Sequence, residues 1–110
     1  MVALANSEFD IIRNFLATPD LNFLRDGVEL GIGDDAAIIK PPSDQNLVFS
    51  LDVLVSGVHF PADAEPDVIA RRALGVNLSD LAAMAADPLC FTLGLPIPEI
   101  KEDWIKQFTD

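Results

Sequence analysis

Cysteine occurs once in the 110 residues, as Cys90, which leaves neither an internal disulfide framework nor a cysteine-based zinc site. Basic side chains are scarce: 7 Lys and Arg stand against 18 Asp and Glu, a formal net charge of −11. A surface of that sign repels phosphate backbones and anionic headgroups alike, which argues against nucleic acid and against a membrane surface as partners. Long apolar runs are missing too. The longest uncharged stretch, Pro88 to Pro98, is too short and too proline-rich to cross a bilayer. Met1 to Asn6 has no basic n-region and no long apolar core, so it does not read as a secretory signal. There is no Walker A sequence, nucleophile elbow or His-Glu-x-x-His, and Lys40, Lys101 and Lys106 stand outside any glycine-rich loop. Phosphates would have to be held mainly through metal ions or by groups outside the chain. The expectation is a soluble cytoplasmic protein.

What is present is apolar. Hydrophobic residues make up 50% and charged residues 23%, which excludes intrinsic disorder. A domain this short buries only about two thirds of its unfolded surface. The apolar surplus therefore points to a partner surface or a missing remainder.

Ser7-Glu8-Phe9-Asp10 has the form of a capping box, followed by Phe9, Ile12, Phe15 and Leu16 at helical spacing and limited by Pro19. Val28-Glu29-Leu30 reads as a short extended piece, and Ala36 to Ile39 as a short strand stopped by Pro41-Pro42. Leu47 to Val55 is the clearest strand, apolar on both alternations as for a central strand covered on both sides. Pro66 opens a long helix expected to run to about Ala86, ended by Asp87-Pro88. Phe91 to Leu95 is a third strand candidate; Pro96 and Pro98 then lead to a helix over Glu102 to Phe108. This order predicts an α+β fold, a mixed β-sheet with helices packed on one face. The final helix runs into the end of the chain without a cap, which reads as a cut.

Four places carry candidate chemistry. In Gly31-Ile32-Gly33-Asp34-Asp35-Ala36-Ala37, glycines permit a tight turn and two carboxylates offer the hard oxygens that Mg²⁺ prefers, although an Asx-type turn with solvated acids explains the same residues. Asp52, beside Ser50 in the Leu47–Val55 strand, is either a buried carboxylate that needs a cation or a strand end that reaches water. Asp80 shares a helix face with Ala73, Val76, Asn77, Ala83 and Met84; alternatively Gly75 breaks the helix, Asn77 caps a new one and Asp80 completes its capping box. His59, the only histidine, follows the acidic strand within Gly57-Val58-His59-Phe60-Pro61 and is either an anion donor, a base or incidental.

In order along the chain, Glu29–Ala37, Ser50–Phe60 and Ala73–Pro88 together resemble the amino-terminal domain of the thiamine-monophosphate kinase family, within the aminoimidazole ribonucleotide synthetase-like ATP-binding superfamily. The resemblance covers nearly the whole chain. It implies ATP-dependent phosphorylation of thiamine phosphate to thiamine diphosphate, with Mg²⁺ and with ATP as co-substrate, in a homodimer whose paired sheets close a barrel. Carried over by position, it implies metal ligands at Asp35, Ser50, Asp52 and Asp80. Between Ser50 and Asp52 the family usually has threonine; here Leu51 leaves only a backbone carbonyl as ligand. It implies a substrate contact at His59, and it places glycine where Ala85 stands. Family members continue through a later ATP-contacting segment and a carboxy-terminal domain, so residues 1–110 are expected to be a truncated amino-terminal metal- and nucleotide-binding domain, inactive by itself. Another ATP-dependent synthetase of the superfamily, or a non-catalytic metal-binding or dimerisation fragment, remains an alternative.

Overall fold

Ser7 and Asp10 open the first helix in the computed structural model, which describes residues 7–96, 99 and 101–110. Residues 1–6 and the Pro98 punctuation lie outside the described residues. The Asp10 amide donates to Ser7 Oγ and the Ser7 amide to Asp10 Oδ2, each at 3.2 Å. The expected capping box is therefore formed, satisfying two N–H groups that a helix start otherwise leaves without partners. α1 (Glu8–Ile11) continues as a π-helical stretch, Ile12–Leu16, closed by the Ala17 amide on the Ile12 carbonyl. Ile11 is buried, while Phe9, expected on the apolar stripe, is exposed.

The chain divides into two compact units. The first comprises Met1–Asn46 and Leu89–Ile100, the second Leu47–Pro88 and Lys101–Asp110. In the first, β1 (Val28–Leu30) pairs antiparallel with β2 (Ile38–Ile39), with Val28 opposite Ile39 and Leu30 opposite Ile38 and an irregularity between. The Lys40 amide extends the pairing by donating to the Gly27 carbonyl at 2.8 Å. Leu89 returns to this unit, where a Cβ added at Gly27 would stand 3.2 Å from its Cδ1.

The second unit is built on α2 (Pro66–Ala83), with Pro66 in the first turn, and α3 (Glu102–Thr109), which packs against it. Ile105 of α3 is 1% exposed. Gln107 Nε2 donates to Glu65 Oε2 at 3.3 Å and Asp67 Oδ1 at 3.2 Å, tying α3 to the start of α2. Trp104 stacks on Phe108, one turn on.

Several expectations are corrected here. α2 passes through Gly75 unbroken, so Asn77 is no second N-cap; one internal glycine costs only about 1 kcal/mol, which a long packed helix tolerates. α2 stops at Ala83, short of Ala86. Ala85 takes φ +54°, its amide donates to the Ala82 carbonyl, and the Ala86 amide donates to the Leu81 carbonyl. That pair of bonds is a Schellman closure, built on an alanine where glycine is the usual residue.

Neither Leu47–Val55 nor Phe91–Leu95 forms a strand among the described residues. A strand needs a neighbour to take its alternating N–H and C=O groups, and neither segment pairs with one among the described residues. Phe49, Leu51 and Val53 are accordingly 81%, 74% and 72% exposed. The mixed α and β composition holds, but the described sheet has two strands, and no helix of its own unit packs on it.

Candidate functional site

Within the second unit, Asn77 and Asp80 stand three residues apart on α2 and so project from one face. The Asn77 Nδ2 donates to the Ala73 carbonyl at 2.9 Å, which turns its Oδ1 away from the helix backbone. Ser50, from the segment before α2, brings its Oγ to 3.3 Å from Asp80 Oδ2 and 3.5 Å from Asn77 Oδ1. Both separations exceed the usual O–H···O range, and one hydroxyl proton cannot serve two acceptors fully. The result is a loosely bonded group of three hard oxygens. An ion with oxygens at the Mg²⁺ distance sets neighbouring ligands about 3 Å apart, and a Ca²⁺-sized ion slightly more. Ser50 Oγ and Asp80 Oδ2 are therefore spaced as two adjacent ligands of one divalent cation.

Asp52 is exposed. Burial does not force a cation on it, and of its two sequence readings the one that reaches water holds. Leu51 is also exposed, and its side chain carries no donor or acceptor.

Asp35 belongs to the first unit, in the turn between β1 and β2. Its amide donates to Asp34 Oδ1 at 2.8 Å, so Asp34 is the carboxylate that shapes the turn. Asn22 Oδ1 accepts from the Ile32 amide at 3.3 Å, and a Cβ on Gly31 would stand 2.9 Å from that oxygen. Glycine at 31 is what lets Asn22 approach. Within neither unit do three His, Cys, Asp or Glu side chains, among the described residues, gather as one metal cage. The structure thus brings Ser50 and Asp80 together, while Asp35 stands in the other unit.

His59 sits in a turn closed by three backbone bonds: Val58 and His59 amides to the Val55 carbonyl, at 3.1 and 2.9 Å, and the Gly57 amide to the Phe60 carbonyl at 2.7 Å. Gly57 takes φ +77°, a conformation that L side chains rarely adopt. The Val55 amide donates to His59 Nδ1 at 2.8 Å. Sequence reasoning missed Asn22 as the brace of the Gly-Ile-Gly turn and Asn77 as a neighbour of Ser50. Asn22 lies in a stretch that reads only as loop, and Asn77's place beside Ser50 depends on contacts across 27 residues.

Residues 33–110 match the family model for the AIR synthase related protein, N-terminal domain. Among curated proteins, the thiamine-monophosphate kinase of Escherichia coli K12 is 46% identical over 107 residues, covering 97% of this chain and 32% of that protein. The thiamine-monophosphate kinase of Haemophilus influenzae is 38% identical over 106 residues, covering 96% and 32%. The crystal structure of thiamine-monophosphate kinase from Stenotrophomonas maltophilia K279a is similar at a TM-score of 0.74 and 46% identity, covering 89% of this chain and 30% of that one. The chain spans about a third of the length of the curated relatives it matches.

Proposed function

The chain belongs to the family of AIR synthase related proteins, through their N-terminal domain, and on that premise we propose that it forms the metal-binding part of an enzyme that phosphorylates thiamine phosphate to thiamine diphosphate with ATP. The observation that carries this reading is the Ser50–Asp80 oxygen pair, spaced for one divalent ion, in a chain whose relatives bear the name of that kinase. Asp80, Ser50 and Asp52 are the residues of the second unit that would hold Mg²⁺, with the Leu51 carbonyl beside them; Asp35, in the first unit, is a metal ligand by the family resemblance alone. Bound Mg²⁺ supplies neutralisation of the charge on the transferred phosphoryl group.

A phosphate oxygen of thiamine phosphate attacks the γ-phosphorus of ATP. The new P–O bond forms as the bond from that phosphorus to the β,γ-bridging oxygen breaks, and ADP leaves. The attacking oxygen is already anionic near neutral pH, so no side chain has to serve as a strong base. The chain's own work is to place carboxylates that attract the cation–phosphate assembly, and His59 contacts the substrate. Exposed Phe49, Leu51 and Val53 support assembly with a second copy, whose equivalent segment would supply the missing strand neighbour in a dimeric barrel. The reading includes a cytoplasmic location; no helix among the described residues is long and apolar enough to cross a membrane.

The test is an assay of the complete enzyme carrying this domain, with ATP, Mg²⁺ and thiamine phosphate. Formation of ADP and thiamine diphosphate in equal amounts supports the reading. ATP turnover only with some other acceptor points to another synthetase of the superfamily, and metal binding without turnover points to a non-catalytic module; either overturns it.

A further inference from the structure

We propose that the turn 55–60 fixes the ring of His59 with Nδ1 turned to the backbone and Nε2–H presented outward as a hydrogen-bond donor, with Gly57 as the positioning residue. The Val55 amide donates to His59 Nδ1 at 2.8 Å. A backbone N–H can only donate, and its direction is set by the peptide plane. Nδ1 must therefore present a lone pair, which puts the single ring proton on Nε2. Reversing the ring would set a carbon against that N–H, so the ring orientation is fixed as well.

Val55 holds the same residue twice, since its carbonyl accepts from the His59 amide at 2.9 Å. The backbone can double back this tightly because Gly57 takes φ +77°, and the Gly57–Phe60 bond closes the far side. With Nδ1 engaged by the chain and His59 exposed, Nε2–H is the edge left for a ligand. A donor in that position fits an oxyanion such as a phosphate oxygen, and with its proton in place Nε2 has no lone pair with which to take another. Of the roles the sequence leaves open, donor and base, the geometry selects donor. Only the identity of the acceptor rests on the proposed kinase function; the donor state rests on the turn.

His59 is the only histidine, so uniform ¹⁵N labelling of the 110-residue chain reports one imidazole together with the Val55 amide. The expected result is a scalar coupling across the hydrogen bond between the Val55 amide nitrogen and Nδ1, with Nε2 carrying the proton. Gly57→Val should abolish the coupling, and Gly57→Asn, which tolerates a left-handed φ, should keep it. Absence of the coupling in the unaltered chain, or its survival in a Gly57→Val chain that keeps the Ile105 amide signal, overturns the proposal. Should Gly57→Val lose that signal, His59→Asn and His59→Ala decide. Asparagine Oδ1 can take the Val55 bond, so Val55 amide exchange should stay slow in His59→Asn and become roughly 2- to 10-fold faster in His59→Ala; equal exchange in the two overturns the proposal. Thiamine phosphate, with inorganic phosphate as the simpler probe, is then added to the complete enzyme. A shift at Nε2 with the coupling kept supports both readings. An unmoved Nε2 with the coupling kept leaves the donor state standing and removes the substrate contact.

Discussion

Ser50 Oγ lies 3.3 Å from Asp80 Oδ2 across a separation of 30 residues. That contact sets the segment 47–55 beside α2 within one unit, and it joins a neutral hydroxyl to a carboxylate without a short hydrogen bond. Removing the charge while keeping the shape is the direct probe. In the complete enzyme, Asp80→Asn should lower kcat/KM by roughly 10²-fold or more, the scale of one electrostatic group acting on a phosphoryl transition state. Asp52→Asn should do the same, and Ser50→Ala should cost less because a backbone or water oxygen can replace a neutral ligand. Near-normal turnover of a folded Asp80→Asn enzyme at limiting Mg²⁺ would refute the assignment.

Mg²⁺ should raise the Tm of the chain, since an ion that binds only the folded form stabilises it by mass action, about 2.7 kcal/mol at a hundredfold excess over Kd. The increase should vanish in Asp80→Asn and persist in Asp20→Asn, a carboxylate in the loop after the first helix. Differential scanning fluorimetry with and without chelator reads the difference.

Asp10 carries a pH effect. The Ser7 hydroxyl, then the Ser7 amide and Arg13, hold its carboxyl below the ordinary 3.8. A lowered folded value favours the folded form while Asp10 is ionised. Its contribution is complete above 3.8 and is lost as pH falls through the lower folded value. The Ser7 amide NMR signal should therefore move in acid below that point, and in Asp10→Asn it should not titrate there. Ser7→Ala, which removes the cap, should cost about 1 kcal/mol measured by denaturant unfolding.

Exposure of the segment 47–55 on both alternations predicts self-association at micromolar concentration. Phe49→Lys with Val53→Lys should shift the sedimentation profile toward monomer by breaking the apolar row and charging an edge. A monodisperse monomer of the unaltered chain would end the dimer reading.

Ala85 spends a left-handed conformation on a residue with a Cβ. Such a backbone costs an L residue roughly 1–2 kcal/mol. Ala85→Gly should recover part of this, raising the urea midpoint with no change in slope.

Local chemistry was the legible part of the sequence. The Ser7–Asp10 box, the Pro66 start and the helix over Glu102 and beyond depend on neighbours within one turn, and all three stand. Leu47–Val55 failed as a strand because alternation reports which faces want burial, and says nothing about whether a neighbouring chain segment is there to pair. The alternative in which Gly75 breaks α2 does not hold, because one glycine costs less than a long helix can tolerate. At the candidate site, Asp80 was singled out from its face on α2, whereas the argument for Asp52 rested on a burial that the structure does not give. The engagement of His59 Nδ1 was invisible, since it depends on which way one imidazole turns within a four-residue reversal.

The two units alternate along the sequence: Leu89 sits by Gly27 in the first, and α3 packs on α2 in the second. During synthesis the chain emerges from its amino terminus, at about 5–20 residues per second. Neither unit can close when its first part appears. The first must wait for residues beyond 88 and the second for α3, so for seconds the nascent chain carries Ile11 and the surface of α2 that α3 covers with no finished core to enter. A ribosome-bound chain stopped before Trp104 should be protease-sensitive throughout α2, and the arrival of residues 101–110 should make that helix resistant.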